Sequence, residues 1–576
     1  MIKVFNQLKV LLDKKQKKNF IFLSILMVIF SLLEFLSIGI IIPISTLILD
    51  GSLNSNISNP NFFGLDKIFE DQNKLLTIFF VIFFLLFVTK FFYSIFFLYF
   101  KNKFLYGVRN NFSKRIFKNY LKKPFNFHQT NNTSKLAINC KYELDIFTSN
   151  IMSPVLELMT DIIIALGLFI LLISIELKAT LLIIFIFLIA VFIYQKVLKK
   201  KTQIWAKERQ HFDRLINKVI REGLGSIKEI ILNLKESFFI NKLNYFLHRN
   251  YVVTTRAQIS SDLPRHMLEL VAIFGFVVIF YFLKLSGYQV LEILILVGLF
   301  AAVTFKILPS FNRIMSNIQR IRFGQPIINL LYSELALSPS EQQYEENINT
   351  NFFNFKNNIE IKNLFFKYEK SKEFIFKNAN LKIDKGQFVG LSGESGVGKS
   401  TFLNIVSGLD KNYKGEILVD EKNLKDLNYS WTKNVAYISQ NTFFLDDSIK
   451  NNIAFAEDED LIDEKKIWAS IEAAQLKNFV NGLEEGIDTL IGEDGTRMSG
   501  GQLQRLAIAR ALYQEFTLLI LDESLNSLDL ENENKIISIL NDLKKDKIIF
   551  LISHKKGTLD NCDVKFKIYN KEIIKY

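Results

Sequence analysis

The stretch GESGVGKS, Gly393 to Ser400, carries the most specific chemistry in the chain. Glycines at 393, 396 and 398, with Ser395 among them, let backbone N–H groups curl around phosphate oxygens. Lys399 supplies a point charge for β- and γ-phosphates, and the Ser400 hydroxyl suits Mg²⁺. Thr401 continues into the helix expected to follow. A second element is TLLILDE, Thr517 to Glu523, an apolar run ending in two carboxylates. Asp522 is placed to hold Mg²⁺ through water, and Glu523 to polarise an attacking water. Together the two elements imply a nucleoside triphosphate with Mg²⁺ as its counterion.

Such a loop works only between a strand and a helix. QFVGLS precedes it and has strand character, as do IEIKNLFFKY, Ile359 to Tyr368, and FKNANLKI. The expectation is an α/β P-loop ATPase domain over residues 351–576. A polar stretch, SPSEQQYEENINT from Ser338 to Thr350, precedes it, giving a linker at 336–350.

At 576 residues the chain exceeds one compact domain, since length suggests roughly three to four units. It is 49% hydrophobic with 56 Phe, and 71 Lys and Arg against 58 Asp and Glu give a net charge of +13. Disordered, collagenous and disulfide-scaffold classes are excluded, the last because Cys140 and Cys562 are the only cysteines. These averages conceal two unlike halves. Apolar runs near Phe20–Leu49, Leu75–Tyr99, Ile151–Ile175, Thr180–Tyr194, Met267–Leu283 and Val290–Leu308 all fall before residue 310. Most approach the roughly 20 residues that cross about 30 Å of hydrocarbon as a helix. The first run is too long for a signal peptide and lacks an A-x-A site, so it is expected to be retained. Residues 1–335 are therefore expected to form a polytopic all-α transmembrane domain of six helices.

Lys and Arg crowd the segments after the second and fourth runs, from Lys101 to Lys123 and from Lys199 to Arg265. The opposite connections carry few. By the positive-inside rule both termini and the long basic connections face the cytoplasm. Much of the +13 charge thus borders membrane, and a nucleic-acid partner is not expected.

MSGGQLQRLAIARAL, Met498 to Leu512, resembles the signature of ATP-binding-cassette proteins, with Met498 in place of the usual Leu. The resemblance extends over the whole soluble half. It implies that Tyr368 stacks on adenine, that Gln440 in YISQN senses Mg²⁺ and the membrane part, and that His554 in LISHK contacts the γ-phosphate. NSLD, Asn526 to Asp529, departs from the family's SALD at Asn526. The resemblance also implies that ATP is clamped between one cassette's phosphate loop and the Ser499-Gly500-Gly501-Gln502 signature of another. One cassette per chain then calls for a partner, most simply a second copy. The layout resembles that of ABC exporters, half-transporters of a bacterial-type inner membrane.

Charged residues at membrane depth are expected pathway residues. Glu34, Lys306 and Arg313 are the substrate candidates; Lys90, Glu157, Asp161 and Glu269 are the others, and Glu157 and Asp161, four residues apart on one face, are expected to pair with a basic group inside the bundle. Lys306 and Arg313 would suit an anionic headgroup. EFLSIGIIIPI (Glu34 to Ile44) and ILPSFNRIMSNI (Ile307 to Ile318) resemble helices of PglK-type flippases, implying a lipid-linked oligosaccharide as cargo. Export of lipid A, drugs or peptides is the alternative, with an importer or a non-hydrolysing regulator further behind.

Overall fold

Three apolar runs of the first half become helices of 49 or 50 residues, much longer than a bilayer is thick. The computed structural model describes residues 2–40, 72–175, 177–285, 287, 290–336, 352–368, 371–525, 528–553 and 555–576. The chain divides into two compact units, residues 1–123 with 128–338, and 124–127 with 339–576.

Among its described residues the first unit is helical. Its main helices are α1 (Ile2–Leu11), α2 (Lys14–Gly39), α3 (Gln72–Leu121), α4 (Ser153–Ile175), α5 (Leu177–Gly225), α6 (Glu236–Leu285), α7 (Val290–Phe323) and α8 (Gln325–Leu335). A 50-residue helix such as α3 or α6 is about 75 Å long, more than twice the hydrocarbon thickness. Among the described residues five stretches are long and apolar enough to cross a membrane: Lys14–Ser37, Thr77–Leu121, Thr133–Ile170, Thr180–Gly225 and Glu236–Leu285. The sixth expected span, Val290–Leu308, lies on α7. Beyond Ile40, the first apolar run and Pro43 lie outside the described residues, as does most of the 336–350 segment.

In the apolar part of α3, Phe84, Phe91 and Phe92 are exposed, as suits contact with lipid. A core of Leu168, Phe187, Leu268, Ile279, Ile307 and Met315 holds α4 to α7 together. Pro309 inside α7 removes one backbone hydrogen bond next to Ser310 and Arg313. A π-helical turn, Thr148–Met152, leads into α4 just before Ser153.

The second unit carries two sheets. One, ordered β2-β1-β4-β5, is built from β1 (Asn358–Phe366), β2 (Phe376–Asp384), β4 (Lys414–Val419) and β5 (Lys422–Asn423). The other, ordered β10-β9-β3-β8-β7-β6, contains β3 (Phe388–Ser392), β6 (Val435–Ile438), β7 (Leu518–Asp522), β8 (Ile548–Ile552), β9 (Val564–Tyr569) and β10 (Glu572–Lys575). Its β9-β3-β8-β7-β6 stretch is parallel. Every residue of β7 and β8 is buried. Leu519, Leu521, Ile549 and Leu551 join one core, while Leu518, Ile520, Ile548 and Phe550 join the other. Alternate side chains thus feed the two faces, which is why these strands are continuously apolar. The carboxyl ends of β3 and β7 put the phosphate loop and the carboxylates on the same edge.

Candidate functional site

At that edge β3 ends at Ser392, and after six intervening residues α9 (Lys399–Val406) starts with Gly398 as its N-cap. The intervening backbone has φ +153° at Gly393, +79° at Gly396 and +111° at Gly398. A side chain at Gly398 would come within 2.4 Å of Ile375 Cγ2, so only glycine lets the loop close there. Lys399 Nζ donates to the Gly393 carbonyl at 2.8 Å and the Glu394 carbonyl at 3.1 Å. Burial pushes this ammonium below its usual range, with Glu523 and Asp522 opposing the shift. A cation with so little water around it is well placed for polyphosphate.

Asp522 closes β7. Burial raises its carboxyl above the ordinary range, while hydrogen bonds from Ser400 and Tyr437 work the other way. The Tyr437 hydroxyl lies 3.0 Å from Asp522 Oδ2, and burial beside that carboxylate raises the phenol as well. The Ser400 hydroxyl and the Asp522 carboxylate are hard oxygen donors in mutual contact, a set that fits Mg²⁺. Glu523, the next residue, takes a left-handed conformation with φ +55° and accepts a hydrogen bond from Gln440 Nε2 at 3.0 Å. Asp522 and Glu523 therefore point to different tasks, though adjacent in sequence. Tyr368 packs edge-on against Phe366, and its hydroxyl lies 2.9 Å from Thr401 Oγ1. This brings the expected adenine-stacking ring beside the start of α9.

Ser499 caps α10 (Gly500–Tyr513) with a reciprocal capping box: Gln502 N donates to Ser499 Oγ at 3.3 Å, and Ser499 N to Gln502 Oε1 at 2.8 Å. Two of the four signature residues are thereby explained by local helix physics. Ser499 and Gly500 are exposed, so the free N–H groups of the helix start face outward. Met498 packs on the core. Among the described residues no hydrogen bond or ion pair joins 393–401 to 499–502. Further along α10, Arg510 donates to the carbonyls of Phe443 and Asn452 at 2.9 and 2.7 Å, tying this helix to the segment after Gln440. His554 and Asn526 lie outside the described residues.

Residues 376–526 match a family described as ABC transporter, and residues 19–308 match the ABC transporter transmembrane region. The chain belongs to the ABC transporter family. A relative from Wigglesworthia glossinidia brevipalpis named ATP-dependent lipid A-core flippase is 27% identical over 479 residues, covering 81% of this chain and 79% of that protein. One of the same name from Haemophilus influenzae (strain 86-028NP) is 38% identical over 267 residues, covering 46% of this chain and 44% of that protein. The chain therefore spans under half the length of the second relative and about four-fifths of the first. A solved structure of a bacterial Atm1-family ABC exporter with ATP bound superposes with a TM-score of 0.77 at 17% identity, covering 97% of this chain and 95% of that one. At that identity the likeness is one of fold. A helical membrane region ahead of a single ATPase cassette is the half-transporter layout of an ABC exporter.

In the membrane unit of this ABC transporter the charges at depth are paired. Glu34 meets Lys90. Glu157 accepts from Lys101 at 2.8 Å and from Ser153 at 2.7 Å. Asp161, only 4% exposed, is gripped by Arg313 through Nε at 2.9 and 3.1 Å and through Nη2 at 2.6 Å. Glu269 pairs with Arg265 one turn away, on an exposed face. The expectation of a basic pair ready for an anionic headgroup changes accordingly, because the Arg313 guanidinium is committed to Asp161. The Lys306 side chain is outside the described ones. Sequence reasoning missed Lys101, taken only as a topology marker, and Tyr437, whose YISQ context drew attention to the glutamine.

Proposed function

We propose that the protein is an ATP-driven flippase or exporter, working as a homodimer in a bacterial-type cytoplasmic membrane. Its cargo on this reading is an amphipathic lipid with a saccharide-bearing head, of the lipid-linked oligosaccharide or lipid A kind. The relatives' name, ATP-dependent lipid A-core flippase, favours the second.

The Gln440–Glu523 contact beside Asp522 carries the catalytic part. Glu523 orients and deprotonates the attacking water, and Gln440 holds the carboxylate for that task. Gly393 to Lys399 wrap the phosphates, while Tyr368 supports the adenine and His554 the γ-phosphate. Ser400 and Asp522 would hold Mg²⁺, which would neutralise charge developing on the transferred phosphate. The exposed helix start at Ser499 and Gly500, with the Gly500 and Gly501 N–H groups left outside the capping box, suits an ATP held on another cassette, which favours a homodimer.

The test is Glu523→Gln in the full chain. Steady-state ATP turnover falls by at least a hundredfold while equilibrium ATP binding stays within about threefold, an effect of the size general-base removal produces. Turnover at the unmodified rate refutes the assignment.

A further inference from the structure

One cavity of about 400 Å³ opens among α2, α3, α4 and α7, with Phe30, Phe97, Leu156 and Leu168 among its apolar walls. That is the size of a headgroup, at the lower end of ordinary ligand sites. Glu34, Lys101, Glu157, Asp161 and Arg313 all line it, and Lys90 completes the pair with Glu34. The three pairs run in sequence, α2 to α3, α3 to α4 and α4 to α7. Among the described side chains the cavity is thus lined by two cations and three anions, and the third anion, Glu34, is matched by Lys90 from outside the lining.

This balance decides what can enter. A bare anion would have to approach unneutralised, or pull Arg313 from Asp161 and leave a nearly inaccessible carboxylate unpaired. Breaking a pair of that kind weakens binding by roughly a hundredfold or more. A headgroup with its own cation and anion exchanges partners without leaving either charge alone. Arg313 is 49% exposed on its cavity side and its Nη1 has no acceptor among the described residues, so an open edge remains for a phosphate oxygen. Glu157, 30% exposed, offers a carboxylate for an ammonium.

We propose that this cavity selects a headgroup of zero net charge that carries both a phosphate-type acceptor and an ammonium donor, and that Asp161 sets the selectivity by neutralising Arg313. This rests on the transport reading above and narrows its cargo: a saccharide-bearing head with phosphates enters only where ammonium groups of its own balance their charge.

The experiment measures thermal stabilisation of the full-length protein in octaethylene glycol monododecyl ether micelles. The probes are zwitterionic lysophosphatidylethanolamine and anionic lysophosphatidylglycerol of the same chain length. The unmodified protein is half-stabilised at a zwitterionic concentration at least tenfold below the anionic one. Asp161→Asn frees Arg313 and moves that ratio at least tenfold toward the anionic probe. Asp161→Asn with Arg313→Gln, balanced again, restores the zwitterionic preference. If Asp161→Asn does not fold, Glu157→Gln, which frees Lys101, must move the ratio the same way. Equal or tighter anionic binding by the unmodified protein overturns the proposal, as does a ratio that neither carboxylate variant moves. Because the readout needs no ATP, a protein that fails to hydrolyse ATP yet keeps the preference refutes the transport reading alone.

Discussion

Two glycines of the phosphate loop share a left-handed backbone but differ in their surroundings, so a methyl group at each separates strain from crowding. Gly396, at φ +79°, has open space where a Cβ would go. Alanine there costs only the conformational term, about 1–2 kcal/mol. Gly398, at φ +111°, would place its Cβ 2.4 Å from Ile375 Cγ2 and 3.2 Å from Phe376 Cζ. Ile375 is half-buried and the next neighbour of that Cβ, Phe376, is fully buried, so the crowding is relieved only by moving Ile375. Overpacking therefore adds about 1–3 kcal/mol to a backbone strain of about 1–3 kcal/mol. If the strain falls on the phosphate-binding conformer, ATP affinity drops by roughly 5- to 30-fold for Gly396→Ala. For Gly398→Ala the sum of about 2–6 kcal/mol corresponds to roughly 30-fold up to complete loss. Equilibrium ATP binding, measured in the Glu523→Gln background to suppress turnover, reads the difference directly. Affinities within twofold of each other for the two variants would refute the claim that Ile375 confines the loop.

Arg510→Lys keeps the charge but can replace only one of three bonds, to Phe443 O, Asn452 O and Asn452 Oδ1. Losing two bonds costs about 2–3 kcal/mol, so hydrogen exchange across 443–455 accelerates at least tenfold; unaltered exchange there counts against the tether. Cys562 is buried and its thiol is pushed up to about 12, so at pH 8 it should alkylate roughly a thousandfold more slowly than an ordinary thiol. The sign for stability follows. Because the folded value lies above the unfolded one, Cys562 contributes stability below the unfolded value of 9.0, and this is lost as pH rises from there through about 12. Mass-spectrometric labelling at pH 8 within tenfold of glutathione would contradict the burial argument.

The cassette was legible because its chemistry is contiguous. Gly393 to Ser400 and Thr517 to Glu523 each bring their own strand and turn, so one sequence window holds both the residues and the geometry that aims them. Tyr437 shows where that stops. Its hydroxyl reaches Asp522 only because β6 pairs in parallel with β7, Tyr437 opposite Ile520, a register that no local pattern specifies. Ser499 and Gln502 could have been recognised as an S-x-x-Q capping box, but the same letters were absorbed into the family signature. In the membrane half, hydropathy located the helices, and the spacing of Glu157 and Asp161 on one face pointed to basic partners inside the bundle without naming them. Lys101 and Glu157 are 56 positions apart and Arg313 and Asp161 are 152 apart, so no local pattern identified which cation meets which carboxylate.

Those pairs are poorly explained as devices for stability. Removing a carboxylate and a guanidinium from water costs more than their attraction reliably returns, and apolar side chains of similar volume pack as well or better. In a bundle surrounded by hydrocarbon the balance tilts further, since leucine is already at home there. Five charged side chains on four helices lining one cavity, with Lys90 behind Glu34, therefore call for a role that apolar residues could not fill. Pro309 and the π-helical turn before Ser153 strengthen the point, because each disturbs a helix within a few residues of the paired groups. Polarity, loosened backbone and an enclosed volume coincide at one place in the membrane unit, and a shared task for a polar headgroup accounts for all three.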